Sequence, residues 1–180
     1  TAGGVSASRI HVVPNALAPH AAPLDRATAR RTLGLPDHAI IAAWVGRVSR
    51  EKGADVFVDA MAQLADCGLH AAILGDGPER AAEETRANAV APSRTFWLGV
   101  VPNASRFLAA FDLFVMSSRT EGMPMVLLEA MDSGVPIVAT SVGGIPDMLS
   151  PGEAMLVPPH DSAALAAAMR DTVHNPVTAA

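Results

Sequence analysis

Two hydrophobic periodicities alternate along the chain. Short runs of aliphatic and β-branched residues, typical of buried parallel strands, are separated by longer segments with apolar residues at helical spacing. The predicted strands are 39–45, 70–74, 94–97, 112–117, 136–140 and 154–158, and the predicted helices are 54–68, 78–90, 104–111, 124–134 and 161–173. This alternation predicts an α/β fold with a doubly wound, Rossmann-like parallel sheet.

Four polar loops each follow a predicted strand. In chain order they are GRVSREKG (46–53), GDGP (75–78), GVVPN (99–103) and SSRTEGMP (117–124). Ligands of doubly wound sheets bind at the carboxyl ends of the strands, so we expect the four loops to lie at one edge and to hold the ligand there. Residues 14–25 (PNALAPHAAPLD) predict an irregular connection before the first helix.

The composition of the chain excludes several classes of function. The chain has 180 residues, is 50% hydrophobic and 17% charged, and carries a formal charge of −5, which fits one folded domain and argues against general nucleic-acid binding. Cys67 is the sole cysteine, so no internal disulfide and no cysteine-based zinc site is expected. No apolar run is long enough to cross a bilayer, and residues 1–10 lack the core of a signal peptide, which predicts a cytoplasmic protein.

A Glu-x7-Glu pair, Glu121 and Glu129, brackets the start of the helix predicted over 124–134. Pro124 suits the first turn of that helix and Gly122 lets the backbone approach a ligand closely. The free amides of the first turn and the helix dipole then favour an anion such as phosphate. The plainer alternative is that Glu121 only caps the helix and Glu129 is a solvated surface acid.

The loop GRVSREKG contains the one lysine of the chain, Lys52, together with Arg47, between Gly46 and Gly53. A planar guanidinium and a compact ammonium suit a diphosphate. Taken alone, the loop would be better explained as an exposed segment of mixed charge in which Glu51 pairs with Arg50, but its place after a predicted strand favours the anion site. Two glutamates are also the catalytic pair of glycosidases, although that chemistry needs no phosphate site.

The motifs HVVPN, VGRVSREKG, GDGP, FWLGVVPN, EGMPMVLLEAMDSGVPIVAT, VGGIPDML and LVPPHD occur in the order seen in retaining glycosyltransferases of family 4. Over about residues 10–173 the chain resembles the C-terminal, donor-binding, Rossmann-like half of the GT-B fold. The resemblance implies that Arg47 and Lys52 hold the donor diphosphate, that Glu121 contacts the transferred sugar and that Glu129 binds the ribose. The other substrate-binding residues that it implies are Val100 and Val101 at the nucleobase, Gly122, Met123, Pro124, Met125 and Val126 at the sugar and phosphates, and Gly46.

The resemblance also implies a domain organisation and a type of reaction. Residues 1–25 would be the interdomain connection and entry segment, and residues 26–180 the nucleotide-sugar-binding domain, with the N-terminal acceptor domain absent. Transfer from a nucleoside diphosphate sugar would retain configuration, without a metal ion or a cofactor. We expect the chain alone to be an inactive fragment, cytoplasmic or peripheral to the membrane through the missing domain. Two alternatives remain: a non-catalytic nucleotide-sugar-binding module and a sugar-nucleotide epimerase of related fold.

Overall fold

The computed structural model of the protein describes residues 6–9, 11, 13, 15–17, 21–150 and 152–175. Parts of the predicted entry segment, residues 1–5, 10, 12, 14 and 18–20, lie outside the described residues, as do residues 151 and 176–180. The strands are β1 (Ile40–Val45), β2 (Leu69–Leu74), β3 (Thr95–Gly99), β4 (Leu113–Met116), β5 (Ile137–Thr140) and β6 (Met155–Val157). The α-helices are α1 (Arg26–Leu33), α2 (Ala54–Ala62), α3 (Arg80–Val90), α4 (Met125–Asp132), α5 (Ile145–Met148) and α6 (Ser162–His174).

The six strands form one sheet in the order β3-β2-β1-β4-β5-β6, and each neighbouring pair is parallel. The predicted doubly wound Rossmann-like fold is therefore confirmed. After β3 the chain crosses back to the other side of β1, so the strand order reverses between β1 and β4. Such a reversal leaves a crevice at the carboxyl ends of the two central strands, where open α/β sheets bind their ligands.

The hydrophobic core lies in two layers, one on each face of the sheet. Trp44 of β1 packs with residues of α2 and α6 on one face. Ile41 and Ala43, whose side chains point to the opposite face, pack with residues of α1 and α4. Strands covered on both faces must be apolar at nearly every position, which accounts for the continuous hydrophobic runs in the sequence.

A buried arginine fixes α1 against the amino-terminal end of the sheet. The Arg30 side chain is 1% exposed and donates to Asp112 and to the carbonyls of Ala110, Pro36 and Asp37. Asp112 also accepts from the backbone N–H of Ile41, 2.8 Å away. The charge is therefore paired and hydrogen-bonded, the condition under which a protein interior tolerates it.

The structure corrects two expectations for the helices and adds one helix. The helix predicted over 54–68 ends at Ala62, and a separate 3-10 turn covers Ala65–Cys67. The helix predicted over 104–111 is a 3-10 helix, Ala104–Ala110. The short helix α5 was not predicted, because four residues are too few to show a period.

No helix in the described part of the chain combines the length and the apolar character needed to span a bilayer.

Candidate functional site

Two adjoining cavities open at the carboxyl ends of the central strands. The first has a volume of about 190 Å³ and is lined by Trp44, Val45, Gly46, Lys52, Met116, Ser118, Glu121, Pro124, Met125 and Val126. The second, of about 200 Å³, is lined by Val45, Gly46, Leu74, Gly75, Val100, Val101 and Ala104. Val45 and Gly46 belong to both, so the end of β1 separates a polar cavity from an apolar one. The expectation that the four loops lie at one edge is confirmed.

Lys52 and Glu121 form an ion pair in the first cavity. The Lys52 Nζ lies 2.7 Å from Oε1 and 2.8 Å from Oε2 of Glu121. The carboxylate is nearly buried, with a side-chain exposure of 6%, whereas the lysine side chain is 33% exposed. The Ser118 hydroxyl donates to Oε1 of Glu121 over 2.7 Å. Glu121 is thus held by two donors within the site, and the alternative that it only caps α4 is wrong, because Pro124 is the N-cap and α4 has no side-chain cap.

The turn that carries Lys52 packs directly on the end of β4. Gly53 has a left-handed backbone, with φ of 69°, and a Cβ at this position would lie 2.0 Å from the carbonyl oxygen of Ser117. The Ser117 hydroxyl donates to the Gly53 carbonyl over 2.7 Å and accepts from the indole N–H of Trp44 over 3.0 Å. Only glycine fits this contact, since it combines a positive φ with the absence of a side chain.

The loop that carries Glu121 is held by the loop after β5. The N–H of Gly144 donates to the Gly122 carbonyl over 3.0 Å. A Cβ on Gly143, whose φ is 52°, would lie 1.7 Å from the Glu121 carbonyl oxygen. From the entry segment, the Asn15 side chain donates to the carbonyl of Met123 over 3.0 Å, and its backbone N–H approaches the sulfur of the same residue. Met123 is thus engaged from outside the cavity and does not line it.

The first turn of α4 faces the first cavity with free backbone amides. The amides of Met125 and Val126 have no hydrogen-bond acceptor within the described residues, as expected for the first turn of a helix. Pro124, the N-cap, and both of these residues line the first cavity. The positive end of the helix dipole adds to the field of Lys52 there.

The other predicted site residues lie around the cavities. Arg47 is exposed beside Gly46, lines neither cavity, and makes no ion pair or hydrogen bond with the described residues. Val100, 73% exposed, and Val101 line the apolar cavity. Gly122 is exposed next to Glu121, outside the lining of either cavity, and Glu129 lies farther along α4, also outside both linings.

Three further residues at this site were not predicted: Trp44, Ser117 and Ser118. The position of Trp44 in an apolar run is typical of a core residue. Trp44 does lie in the core, and its indole packs against Gly46. Ser117 and Ser118 are both at most 2% exposed, although serine is usually found at the surface. A pair of serines immediately after a hydrophobic strand is the sequence signal that could have indicated them.

Within the ranges that the structure describes, no group of three histidine, cysteine, aspartate or glutamate side chains is arranged to hold a metal ion.

Comparison with known proteins gives a consistent picture. Residues 39–175 match the family described as Glycosyl transferases group 1. The chain is 37% identical over 138 residues to the lipopolysaccharide core biosynthesis mannosyltransferase LpsB of Rhizobium meliloti, covering 72% of this chain and 39% of that protein. It is 39% identical over 153 residues to the 2-deoxystreptamine N-acetyl-D-glucosaminyltransferase of Streptomyces fradiae, covering 79% and 36%.

Among solved structures, Anabaena HepE in complex with UDP superposes with a TM-score of 0.79 at 26% identity, over 88% of this chain and 46% of that one. The chain therefore spans less than half the length of each of these proteins.

Proposed function

Because the chain belongs to the Glycosyl transferases group 1 family, we propose that it binds a nucleoside diphosphate sugar as the donor half of a glycosyltransferase. The observation that carries this proposal is the polar cavity between β1 and β4. It combines one ammonium group, one nearly buried carboxylate and two unpartnered helix amides. Cation and amides suit phosphate oxygens, and a carboxylate suits sugar hydroxyls.

In the proposed complex, Lys52, Arg47 and the amides of Met125 and Val126 hold the diphosphate. When the bond to the sugar breaks, the diphosphate gains negative charge, and these groups stabilise that charge more strongly than they stabilise the bound donor. These groups would stabilise the negative charge that a divalent cation stabilises in other phosphate sites. Glu121 faces the sugar, where positive charge develops on the ring as the leaving group departs. Transfer with retention of configuration belongs to this proposal.

The apolar cavity beside Gly46 fits the nucleobase. Its lining offers Val100 and Val101 for packing against a ring, and it presents no charged side chain. Glu129, on the helix that presents its amides to the phosphates, is proposed to bind the ribose. From Met125 to Glu129 the helix rises by roughly 6 Å, at about 1.5 Å per residue, which is comparable with the distance from a diphosphate to the ribose hydroxyls.

The acceptor is proposed to bind to a further domain, since the relatives are more than twice as long as the part of them that matches this chain. Catalysis of transfer requires that donor and acceptor be held together. We therefore expect this chain to bind a nucleoside diphosphate and to transfer no sugar.

Calorimetric titration with UDP, GDP and ADP at low salt tests the donor site. Lys52→Ala should weaken binding of the preferred nucleotide by about 10- to 150-fold, since a charge-assisted contact contributes about 1.5–3 kcal/mol. Arg31→Ala is the matched control: it removes one positive charge from an exposed position on α1 and should leave the affinity unchanged.

Lys52→Ala also leaves the carboxylate of Glu121 without its cation, so a second comparison is needed. The double variant Lys52→Ala/Glu121→Gln, set against Glu121→Gln alone, isolates the contribution of the lysine. Absence of binding of all three nucleotides to the unmodified chain, or equal affinities in that comparison, would overturn the proposal.

A further inference from the structure

The turn that presents Lys52 is held from outside by the loop after β4. Three of its carbonyl oxygens accept hydrogen bonds from that loop: Glu51 from the backbone N–H of Arg119 over 2.8 Å, Gly53 from the Ser117 hydroxyl over 2.7 Å, and Arg50 from the Arg119 guanidinium. The carbonyls on both sides of Lys52 are therefore fixed. A lysine side chain is long and flexible, so the position of its ammonium depends on the backbone that carries it.

Arg119 makes two of these three contacts, and each of its guanidinium nitrogens donates a hydrogen bond. Its guanidinium forms a two-pronged ion pair with Asp55, the second residue of α2, with N–O distances of 2.8 and 2.6 Å. Its Nε donates to Nδ1 of His160 over 3.0 Å. The side chain is only 16% exposed, so these hydrogen bonds are shielded from competing water. Arg119 thus joins the loop that carries Glu121 to both ends of the turn that carries Lys52.

The charges of this pair persist at neutral pH. Burial alone would raise the pKa of Asp55, but the hydrogen bonds and the positive charge of Arg119 outweigh it and hold that pKa below its ordinary value. The hydrogen bonds from Asp55 in turn raise the pKa of Arg119. Charge-assisted, two-pronged pairs of this kind fix orientation as well as distance.

We propose that Arg119 is a positioning residue of the donor site, which sets the place of the Lys52 ammonium relative to Glu121 through the backbone of residues 50–53. The relevance of this role to nucleotide binding rests on the proposed function. The sequence does not single out Arg119, because its partners lie 41–69 positions away in the chain. Its effect on affinity passes through Lys52, since Arg119 lines neither cavity.

The lone lysine makes a direct test possible. Protein labelled with 13C,15N-lysine gives the signals of one residue, Lys52. Arg119→Met should shift the Lys52 Cε and amide resonances, because the turn loses the hydrogen bond to Arg50 and the link to Asp55. Arg170→Met is the control, since Arg170 also joins an aspartate, Asp66, and a carbonyl, that of Gln63, at the other end of α2. That variant should leave the Lys52 resonances in place.

The second measurement is the affinity for UDP, or for whichever of the three nucleotides the chain prefers. Arg119→Met should weaken binding by about 10-fold in the otherwise unmodified chain and by less than about twofold when Lys52 is already alanine. Arg119→Lys keeps one charge opposite Asp55 and should restore part of the affinity. If Arg119 only stabilised the fold, its replacement would weaken binding equally in the chain with Lys52 and in the Lys52→Ala variant.

The outcomes separate the two proposals. Unchanged Lys52 resonances in Arg119→Met, or additive losses of affinity, overturn the positioning role. Shifted Lys52 resonances in a chain that binds no nucleotide overturn the proposed function and support the positioning role. If Arg119→Met is unfolded by circular dichroism, Arg119→Lys carries both measurements, with the same outcomes expected at smaller amplitude.

Discussion

At the scale of single residues, the pairing of Lys52 with Glu121 changes how the site is understood. The family resemblance assigns the lysine to the diphosphate and the glutamate to the sugar, as separate contacts. In the structure each is the partner of the other, with both carboxylate oxygens within 2.8 Å of the ammonium. Under the proposed function, an arriving diphosphate must therefore compete with Glu121 for the lysine and must also approach a carboxylate of like charge.

This competition gives a prediction for Glu121→Gln. Removing the negative charge frees Lys52 and reduces the repulsion, so we expect the affinity for a bare nucleoside diphosphate to rise by about 10-fold, or roughly 1.4 kcal/mol. Calorimetry at low salt measures this. Glu153→Gln removes the same charge from an exposed residue near the opposite edge of the sheet and should have no effect. Weaker binding by Glu121→Gln would mean that the carboxylate supports the diphosphate site instead of competing with it.

Sequence patterns identified the charged residues of the site but not the contacts between them. Lys52 and Glu121 follow different strands, and only the order of the strands brings β1 next to β4. Trp44, Ser117 and Arg30 illustrate the same difficulty, because each is explained by a hydrogen-bond partner distant in the chain. A buried arginine such as Arg30 cannot be told from a surface arginine until its acceptors are known.

At the scale of elements, the strands were predicted to within two residues at each end, because burial on both faces gives each strand a continuous apolar run. Helices were less well predicted. Phe107 and Leu108 are buried in Ala104–Ala110, but apolar spacing in so short a segment does not distinguish an α-helix from a 3-10 helix. Around the end of α2 at Ala62, Arg94, which lies immediately before β3, donates to the carbonyls of Met61 and Leu64.

Loop packing at the site predicts different costs for two glycines that both have positive φ. Gly143 meets the Glu121 carbonyl, whereas a Cβ on Gly134, at φ of 67°, would meet nothing within 4 Å. Gly134→Ala should cost about 1 kcal/mol in the free energy of unfolding, from backbone strain alone, and leave nucleotide affinity unchanged. Gly143→Ala should cost at least about twice as much and weaken nucleotide binding, because the loop of Glu121 must move.

Urea unfolding and calorimetry on the two variants distinguish these effects. Equal losses of stability, with the affinity of Gly143→Ala preserved, would show that the loops after β4 and β5 accommodate a side chain without displacing Glu121.

At the scale of the whole molecule, one ion pair connects segments that are 104 residues apart. Asp66, in the turn after α2, accepts from Arg170 of α6 over 2.8 Å. The hydrogen bond from Arg170 is the main cause that lowers the pKa of Asp66 from 3.8 to about 2. The Asp66 carboxylate is exposed, so its contribution to the free energy of unfolding is small. That contribution nevertheless depends on pH in a way that can be measured.

A lowered carboxyl pKa gives stability that is complete above the ordinary value near 3.8 and is lost as the pH falls toward 2. The urea midpoint of the unmodified chain should therefore exceed that of Asp66→Asn at pH 5 and approach it near pH 2. Arg170→Met should show the same convergence, because it removes the cause of the shift. A constant difference in midpoint from pH 5 to pH 2 would contradict this account.

The turn that carries Lys52 has a consequence for proteolysis. A protease that cleaves only after lysine has a single target bond in the entire sequence, Lys52–Gly53, and this bond lies at the centre of the proposed donor site. Proteases need an extended, accessible segment. Here the Gly53 carbonyl accepts from the Ser117 hydroxyl, and the backbone of Gly53 packs against the Ser117 carbonyl. Cleavage must therefore wait for the turn to open, and when opening and closing are fast its rate follows the population of the open form. The rate at which the band of the intact chain disappears from a gel would thus measure the local stability of the site, separately from that of the rest of the domain.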